Sequence, residues 1–387
     1  GRHMRKVAVI GGGASGLAAA ISAARAGAEV TIYEQKDRVG QKILATGNGR
    51  CNLTNTAIVP EDYNAPYFVT GTLSKYGPQE IRNWFAHLGL LTFEEREGRV
   101  YPLTNTATSV LDVLRLAVER LGVTVECNHP ISSLDEVDAD RYIVATGGGS
   151  DLLGQSGHVI ESFHPILCSL ATDRKPIRGL SGIRARVQVN VYATGTTAGE
   201  PFASEYGEVL FRDYGLSGVV IFNMSRYAQP QDLISLDFLP GLNEDETLSL
   251  LEQHLDILVG ESRTGQVPSY QELLCGMFQS RVADAILRMA GVKPSAQVER
   301  DMLAKVAMVC NDFRIEVAGV GDAKHAQVTR GGAAISEFDA DTLESLVTPG
   351  VYACGEALDV DAKCGGYNLH WAWASGIVAG QAAASGE

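Results

Sequence analysis

The first thirty-three residues place an alanine-rich stretch between two short apolar runs. The runs at 6–10 and 29–33 are rich in valine and isoleucine, which predicts two strands. The stretch between them ends at about Gly27 and predicts a helix, and a glycine-rich turn at 11–16 joins the first strand to it. This order is that of a β-α-β unit, so the chain opens as an α/β domain with a parallel sheet.

The α/β pattern continues to about residue 165. It predicts helices over 81–89 and 109–121 and strands over 123–126 and 141–145. Residues 36–56 are rich in glycine and asparagine and follow no period. We predict an irregular loop there, and a loop of that length is usually functional.

The pattern changes after about residue 165. Short β-rich runs between turns, typical of a small antiparallel barrel or sandwich, occur at 187–192, 208–211 and 233–237. Residues 244–309 have helical periodicity with breaks near 265–268 and 291–294, strand character returns at 313–317 and 351–354, and a last helix is predicted from about 367 to 380.

These patterns predict one α/β domain that is interrupted by an insert. The final strand and helix are expected to return and complete the first domain. The predicted bounds are 4–164 with 331–387 for the α/β domain, 165–243 with 310–330 for the β-rich part of the insert, and 244–309 for its helical part.

The turn at 11–16 has the glycine spacing of a dinucleotide-binding fingerprint. Gly11 permits the tight turn, Gly13 leaves room for a pyrophosphate, and Gly16 allows close packing of helix and strand. Glu34 follows 18 residues after Gly16, where a carboxylate accepts ribose hydroxyls. An acid there favours FAD or NAD over NADP. The predicted contacts are Gly11, Gly13, Ala14, Ser15, Gly16, Glu34 and Gln35.

Only one such fingerprint is complete. Residues 146–149 (Thr-Gly-Gly-Gly) follow a predicted strand, but neither an amphipathic helix nor an acid completes a second fingerprint. We interpret Thr146, Gly147 and Gly148 as a second backbone contact to the same dinucleotide; the alternative is a turn at the sheet edge. One bound FAD without a separate nicotinamide domain therefore fits better than an NAD-dependent dehydrogenase.

The loop after the second strand is rich in amide and cationic side chains. Its amide side chains both donate and accept hydrogen bonds, which suits the pyrimidine edge of a flavin, and its cations can offset phosphate or a developing anion. The alternative is a plain surface loop. The predicted cofactor contacts here are Lys42, Thr46, Gly47, Asn48, Arg50, Cys51 and Asn52.

A third signal lies near the C-terminus. A predicted strand runs into Gly355 and Glu356, and Glu356 is a candidate acceptor for the hydroxyls of a ribityl chain. We expect backbone N–H groups at the start of the last helix to lie where negative charge collects on a reduced flavin. The alternative is an ordinary helix, started by a glycine, that packs Trp371 and Trp373 into the core. The predicted contacts at that helix start are Gly366, Tyr367, Asn368 and Leu369.

Composition narrows the function class. The net charge of −14 argues against general affinity for nucleic acid or anionic lipid. No apolar run approaches the roughly 18 residues that cross a bilayer. The seven cysteines include no Cys-x-x-Cys pair, which argues against a metal site and predicts a reducing, cytoplasmic location. Residues 1–3 are interpreted as a tag remnant ahead of Met4 with no leader after it.

Over nearly its whole length the chain resembles the BaiN-like and aminoacetone-oxidase-like FAD-dependent oxidoreductases, which are related to glutathione reductase. The most specific motifs are Thr-Gly-Asn-Gly-Arg-Cys-Asn at 46–52 and Cys-Gly-Gly-Tyr-Asn at 364–368. The resemblance implies a Rossmann-like FAD-binding domain interrupted by an insert made of a small β-barrel and a helical bundle. It rests on residues 11–16, 46–55, 207–211, 214–218, 328–332, 355–356, 358–361, 364–369 and 371–373.

Catalytic candidates come mainly from the insert. Tyr214, Asp213 or Tyr206 is a candidate proton donor, and Arg330 is a candidate clamp for a carboxylate or carbonyl over the flavin. Arg212 departs from the family pattern, which has threonine there, as Leu343 and Leu346 depart from methionine and lysine. His325 is a weaker candidate for a proton shuttle. Cys51 and Cys364 form either a redox disulfide or, as we favour, two unreactive thiols.

Three functions stay open at this stage. The first is an FAD-dependent oxidoreductase that moves a hydride between flavin N5 and a small or medium organic substrate. The resemblance favours reduction of an activated C=C bond, with NAD(P)H as a transient electron donor. The second is an O₂-dependent oxidase of an amine or aminoketone. The third is an FAD-stabilised binding or RNA-modifying protein. We expect no membrane and no nucleic-acid partner, and the oligomeric state is open.

Overall fold

The computed structural model describes residues 4–147, 151–166, 168–193, 200–225, 227–321 and 328–385. Among the predicted site residues, Gly148 and His325 lie outside the described residues, as do the side chains of Asn48 and Arg330. The chain forms two compact units, Gly1–Pro165 with Gln327–Glu387 and Ile166–Ala326. The finer domain bounds given above, with a separate helical part at 244–309, stay a proposal.

The first unit holds a mixed set of strands and helices. Its strands are β1 Lys6–Ile10, β2 Glu29–Tyr33, β3 Thr54–Asn55, β4 Thr92–Glu94, β5 Arg99–Pro102, β6 Thr124–Glu126, β7 Arg141–Val144, β8 Ile160–Ile166, β15 Val328–Ala333 and β16 Val351–Ala353. Its α-helices are α1 Ala14–Arg25, α2 Pro66–Lys75, α3 Pro78–His87, α4 Ala107–Arg120, α5 Leu152–Gln155 and α11 Tyr367–Ala384.

A five-stranded parallel sheet organises this unit. The strand order is β16-β7-β1-β2-β6, so the last strand of the chain pairs with β7 beside the first. The return of the C-terminal strand and helix to the first domain is therefore confirmed. α11 packs along α1 at backbone distance, since a Cβ on Gly376 would lie 2.4 Å from the carbonyl oxygen of Ser15. This contact brings the two ends of the chain to one site.

The second unit is a barrel with helices. Its strands are β9 Leu170–Thr172, β10 Arg184–Tyr192, β11 Ala203–Phe211, β12 Gly215–Ser217, β13 Leu233–Asp237 and β14 Phe313–Val320. Its α-helices are α6 Val219–Ser225, α7 Glu244–Glu261, α8 Tyr270–Leu274, α9 Ser280–Met289 and α10 Leu303–Asn311.

The six strands of this unit close into a barrel in the order β10-β11-β12-β9-β14-β13. The inward positions of β10, Val187, Val189 and Val191, are fully buried, as the period of two predicts. The predicted fold class, a Rossmann-like domain with a barrel and helices as its insert, is thus confirmed. Closure resolves the choice between barrel and sandwich, because β9 and β12 bridge the longer strands.

The region predicted as an irregular loop at 36–56 is partly ordered, so that prediction was wrong in part. A 3₁₀ helix covers Gln41–Gly49, and β3 follows at Thr54–Asn55 and pairs with β5. A 3₁₀ turn has three residues, and the glycines at 40, 47 and 49 all adopt positive φ. The apolar period of an α-helix is therefore missing from this segment.

Candidate FAD site

Of the three glycines that match the fingerprint spacing, two are crowded and one is open. Gly11 has φ +107°, and a Cβ on it would lie 2.6 Å from the carbonyl oxygen of Ala145. A Cβ on Gly16 would lie 1.8 Å from the carbonyl oxygen of Gly11, which no side chain tolerates. Around Gly13, the N-cap of α1, no described atom lies within 4 Å of the Cβ position. Open space therefore faces the first-turn N–H groups of Ala14 and Ser15, where a phosphate is favoured.

Glu34 stands beside this turn. Its Oε1 accepts from the Gly12 backbone N–H at 3.0 Å, and its Oε2 accepts from the Lys36 N–H at 2.9 Å. A carboxylate has about four acceptor positions, so each oxygen retains capacity for a ribose hydroxyl. Gln35 is exposed at the same strand end. The geometry fits the predicted adenosine contact and adds a structural role for Glu34 in holding the turn.

Three predicted contacts from different parts of the chain meet at the end of β7. A Cβ on Gly147 would lie 3.5 Å from Lys42 Nζ and 3.9 Å from Glu356 Oε2. Thr146, before Gly147, is half-buried. A cation, a carboxylate and bare backbone therefore surround one point, which suits a ligand that carries both phosphate and hydroxyl groups.

Arg50 has a different environment from the one that the sequence suggested. Its guanidinium forms a bidentate pair with Glu95, at 2.9 and 3.2 Å, and also donates to Asn105 Oδ1. Its Cζ lies 3.8 Å from the centroid of the Tyr101 ring. The hydrogen bond with Glu95 raises the pKa of Arg50 and lowers that of Glu95. With these partners Arg50 holds the loop against β4 and β5, and a phosphate contact becomes the weaker interpretation.

The segment 46–52 is tightly turned. The Thr46 hydroxyl donates to the Ile43 carbonyl oxygen at 2.6 Å, and Gly47 and Cys51 have φ of +55° and +59°. Burial raises the pKa of the Cys51 thiol to about 12. The cysteines of the described part, including Cys364, form no disulfide bonds. A buried, protonated thiol fits the unreactive interpretation of Cys51 better than the redox pair.

The Asn52 side chain has an unpaired acceptor that a flavin could satisfy. Its side chain is 7% exposed, and its Oδ1 is buried with no hydrogen-bond partner among the described residues. A buried acceptor without a donor costs about 1–3 kcal/mol. The same oxygen lies 2.9 Å from the Cβ position of Gly366, at the start of α11. A ligand that offers an N–H group, as the pyrimidine edge of a flavin does, satisfies it.

The C-terminal motif contacts the fingerprint turn through Gly355 and Ser15. A Cβ on Gly355 would lie 2.5 Å from Ser15 Oγ, and the Gly355 N–H donates to Ser375 Oγ at 2.9 Å. Gly366 caps α11 with φ +100°. Tyr367 is buried and stacks with the Lys363 ammonium at 5.1 Å.

The Asn368 side chain does not point to a free site. It accepts from the Ala362 N–H at 2.9 Å and donates to the Ala362 carbonyl oxygen at 2.7 Å. These two bonds tie the loop between Ala362 and Asn368 together. Its backbone N–H and that of Leu369 stay in the first turn of α11, where intrahelical partners are lacking. A contact of Asn368 to the cofactor is therefore expected through the backbone.

The catalytic candidates of the insert belong to the second unit. Tyr214 is half-buried, and its hydroxyl donates to Ser169 Oγ at 3.0 Å. Arg212 and Asp213 are exposed in the turn before β12. Their catalytic roles stay predictions, as does that of Arg330.

The described part contains neither a metal-binding cluster nor a helix that could span a membrane. No cluster of three or more His, Cys, Asp or Glu side chains there is arranged to hold a metal ion. The helices of that part also lack the combination of length and apolar character that a bilayer crossing needs.

Sequence reasoning missed one residue of this site. His370 is fully buried in α11, and its two ring nitrogens lie 2.8 Å from Thr54 Oγ1 and 2.9 Å from the carbonyl oxygen of Tyr76. A single histidine in an apolar helix gives no signal of its own. Its position four residues after Gly366 is the one clue, since that spacing places both on one helix face.

Comparison with known proteins shows the family to which the chain belongs. A family model described as the HI0933-like protein Rossmann domain matches residues 5–382. The chain belongs to this family. It is 34% identical to a 3-dehydro-bile acid delta(4,6)-reductase of Clostridium scindens, over 98% of this chain and 99% of that protein. It is 26% identical to a ribosomal RNA dihydrouridine synthase of Haemophilus influenzae, over 95% of each.

A solved structure of a flavocytochrome c3 fumarate reductase also matches, with 15% identity and a TM-score of 0.44 over 99% of this chain and 78% of that one. Family membership and the site together identify the protein as an FAD-dependent oxidoreductase. The predicted cofactor, FAD, is thus confirmed at the level of the family.

Proposed function

We propose that the protein reduces a C=C bond conjugated with a carbonyl group, with NAD(P)H as the electron donor. The observation that carries this proposal is the 34% identity, over nearly all of both chains, to a reductase named for 3-dehydro-bile acids. The small or medium organic substrate predicted from the sequence fits that class.

The residues of the first unit hold the cofactor in this proposal. FAD, when bound, supplies hydride transfer. Glu34 accepts hydroxyls of the adenosine ribose, and the start of α1 binds the pyrophosphate with Lys42 as counter-charge. Asn52 Oδ1 would accept an N–H of the bound ring. The first-turn N–H groups of α11 would stabilise negative charge on a reduced ring.

The insert supplies substrate chemistry in this proposal. Reduction of an enone needs a proton at the carbon next to the carbonyl, and Tyr214 or Asp213 is the candidate donor. Arg330 and Arg212 are candidates to bind the carbonyl or an acidic group of the substrate. Tyr214→Phe should slow reoxidation by substrate and leave reduction by NAD(P)H unchanged, because the two half-reactions use different groups.

Anaerobic half-reactions test the proposed direction. The purified protein is titrated with NADH or NADPH, and bleaching of the flavin band is recorded. A panel of a steroid dienone, a simple enone and a saturated ketone is then added. We expect bleaching by a nicotinamide and recovery of colour with the conjugated substrates alone. Peroxide formation from amines in air, without bleaching by NAD(P)H, would instead support the predicted oxidase.

A second candidate, reduction of a uracil ring in RNA, is favoured by one surface of the barrel unit. Residues 174–186 contain five Lys or Arg and no Asp or Glu, although the chain has a net charge of −14. We call these five side chains the basic face: Arg174, Lys175, Arg178, Arg184 and Arg186.

All five side chains of the basic face are exposed. Only Arg184 forms an ion pair in the described part, with Glu208. Arg288 joins them through a hydrogen bond from its guanidinium to the Arg178 carbonyl oxygen at 2.9 Å. Tyr206, 52% exposed, pairs with Gln188 of β10, two positions along that strand from Arg186. Cations next to an exposed aromatic ring suit phosphates and a stacked base.

Uracil also carries a C=C bond conjugated with a carbonyl group, so both candidates share one reaction class. RNA affinity measured against salt concentration separates them. The double variant Arg174→Ala, Lys175→Ala should lower the salt slope by about 0.7 for each lost phosphate contact if RNA binds there. The matched variant Arg263→Ala, Lys293→Ala removes the same charges elsewhere. Equal slopes in the two variants would exclude the basic face as an RNA site.

A further inference from the structure

We propose that His370 is a positioning residue, which fixes the cofactor loop against the start of α11 through Thr54 and thereby sets how Asn52 meets the flavin. This inference needs FAD as the cofactor but not the identity of the substrate. It also assigns separate roles to the two hydrogen bonds of the His370 ring.

The hydrogen bonds fix the state of the ring. The Tyr76 carbonyl oxygen can only accept, so Nε2 carries a hydrogen and donates to it at 2.9 Å. Nδ1 then accepts from the Thr54 hydroxyl at 2.8 Å. Burial lowers the pKa of His370 to about 4, so the ring is neutral near pH 7. The imidazole is therefore a fixed acceptor toward one partner and a fixed donor toward the other.

Thr54 belongs to a contact that joins the two flavin motifs. We call it the cofactor seam, formed by residues 52–55 and 365–373. A Cβ on Gly366 would lie 2.4 Å from the Thr54 carbonyl oxygen, so the two backbones touch. The His370 N–H also donates to the Gly366 carbonyl oxygen at 3.0 Å. His370 therefore bonds to both sides of this contact.

Other bonds of the cofactor seam fix the backbone but not the Thr54 side chain. Trp373 Nε1 donates to the Leu53 carbonyl oxygen at 3.1 Å, and Asn55 Nδ2 donates to the Gly365 carbonyl oxygen at 3.1 Å. Asn52, with its unpaired Oδ1, lies two residues before Thr54. Loss of the His370 acceptor would leave the buried Thr54 hydroxyl without its partner, so we expect the loop to shift at Thr54 and at Asn52 two residues before it. The Thr54 bond is thus the contact expected to act on the cofactor.

The bond to Tyr76 serves a different purpose. Tyr76 is the C-cap of α2, outside the cofactor loop. Loss of that bond is expected to weaken packing of α2 on α11 and leave the flavin environment unchanged. Two substitutions separate the bonds, because an asparagine oxygen comes near the place of Nδ1 and a glutamine nitrogen near that of Nε2. H370N keeps the partner of Thr54, and H370Q keeps that of Tyr76.

The test measures FAD affinity by flavin fluorescence, the visible spectrum and reduction potential of the bound flavin, and the Tm of the FAD-free protein. We expect H370Q and T54V to weaken FAD binding by about five- to tenfold, as for the loss of one buried hydrogen bond, and to shift spectrum and potential. H370N and T54S should retain both properties. H370N should lower the Tm of the FAD-free protein.

His158 offers a matched control. It is also buried, with its Nε2 2.6 Å from Ser345 Oγ, but it lies outside the cofactor seam. His158→Asn should lower Tm without a change in FAD affinity or potential. The inference is overturned if T54V and H370Q bind FAD with unchanged affinity and potential. It is also overturned if H370N loses FAD as fully as H370Q does. Because T54V and T54S differ from the native chain by one small group, a folding failure at His370 leaves the test in place.

Discussion

Replacement of Asn52 by leucine should raise the stability of the FAD-free protein and lower its affinity for FAD. In the FAD-free protein Asn52 Oδ1 is buried without a donor, and removal of that acceptor relieves a penalty of about 1–3 kcal/mol. In the FAD complex the same change deletes a hydrogen bond worth about 0.5–1.5 kcal/mol net. We therefore expect N52L to be more stable without FAD and to bind FAD more weakly.

The magnitudes are measurable. For a domain of 150–250 residues, 1 kcal/mol corresponds to about 2–4 °C in Tm, so the FAD-free variant should melt about 2–12 °C higher. The dissociation constant for FAD should rise by about two- to tenfold. Thermal unfolding of the FAD-free proteins and fluorescence titration with FAD give both numbers. A variant that melts lower than the native chain and binds FAD with unchanged affinity would refute the assignment of Asn52.

Three further predictions concern the same site. Gly13→Val should leave the FAD-free Tm unchanged and abolish FAD binding, because the new side chain enters open space that the pyrophosphate needs. Gly241→Val, at an equally open position, is the control. Yellow Gly13→Val protein would contradict the fingerprint. Glu34→Ala should weaken FAD binding by about 1.5–3 kcal/mol in a titration, through loss of a charged acceptor, and equal FAD retention would speak against the ribose contact. Alkylation under native conditions should spare Cys51, whose pKa is raised to about 12 by burial, and rapid labelling detected by mass spectrometry would show an accessible thiolate.

The sequence predicted the first β-α-β unit closely because local and long-range signals agree there. Strand, turn and helix each have their own pattern, and the predicted strands at 6–10 and 29–33 match β1 and β2. The final helix was also found, since a glycine loop marks its start. Barrel closure could not be predicted, because β9 and β12 have three residues each, which is too few to establish a period of two in the sequence.

The candidate site, like the fold, could be predicted from the sequence only in part. Gly13 and Glu34 follow from spacing, which a ligand with fixed geometry imposes on the chain. The partners of Arg50 do not, because Glu95 and Asn105 come from distant segments that only the folded chain brings together. The bond between His370 and Thr54 spans 316 positions, so no local pattern records it.

The α2 helix was missed for a related reason. Its sequence has β-branched residues at Val69, Thr70 and Thr72, with a glycine among them. These residues disfavour a helix in isolation. The helix forms because Phe68 and Val69 are buried against the core of the first unit, a tertiary contact that overrides local propensity.

The central claim is that the two ends of the chain jointly hold one FAD. Its most direct test is the visible spectrum of the purified protein after incubation with FAD and removal of unbound cofactor by gel filtration. We predict absorption in the blue region that corresponds to one FAD per chain, and none for Gly13→Val. Native protein that leaves the column colourless, with all of the FAD in the unbound fraction, would contradict the account.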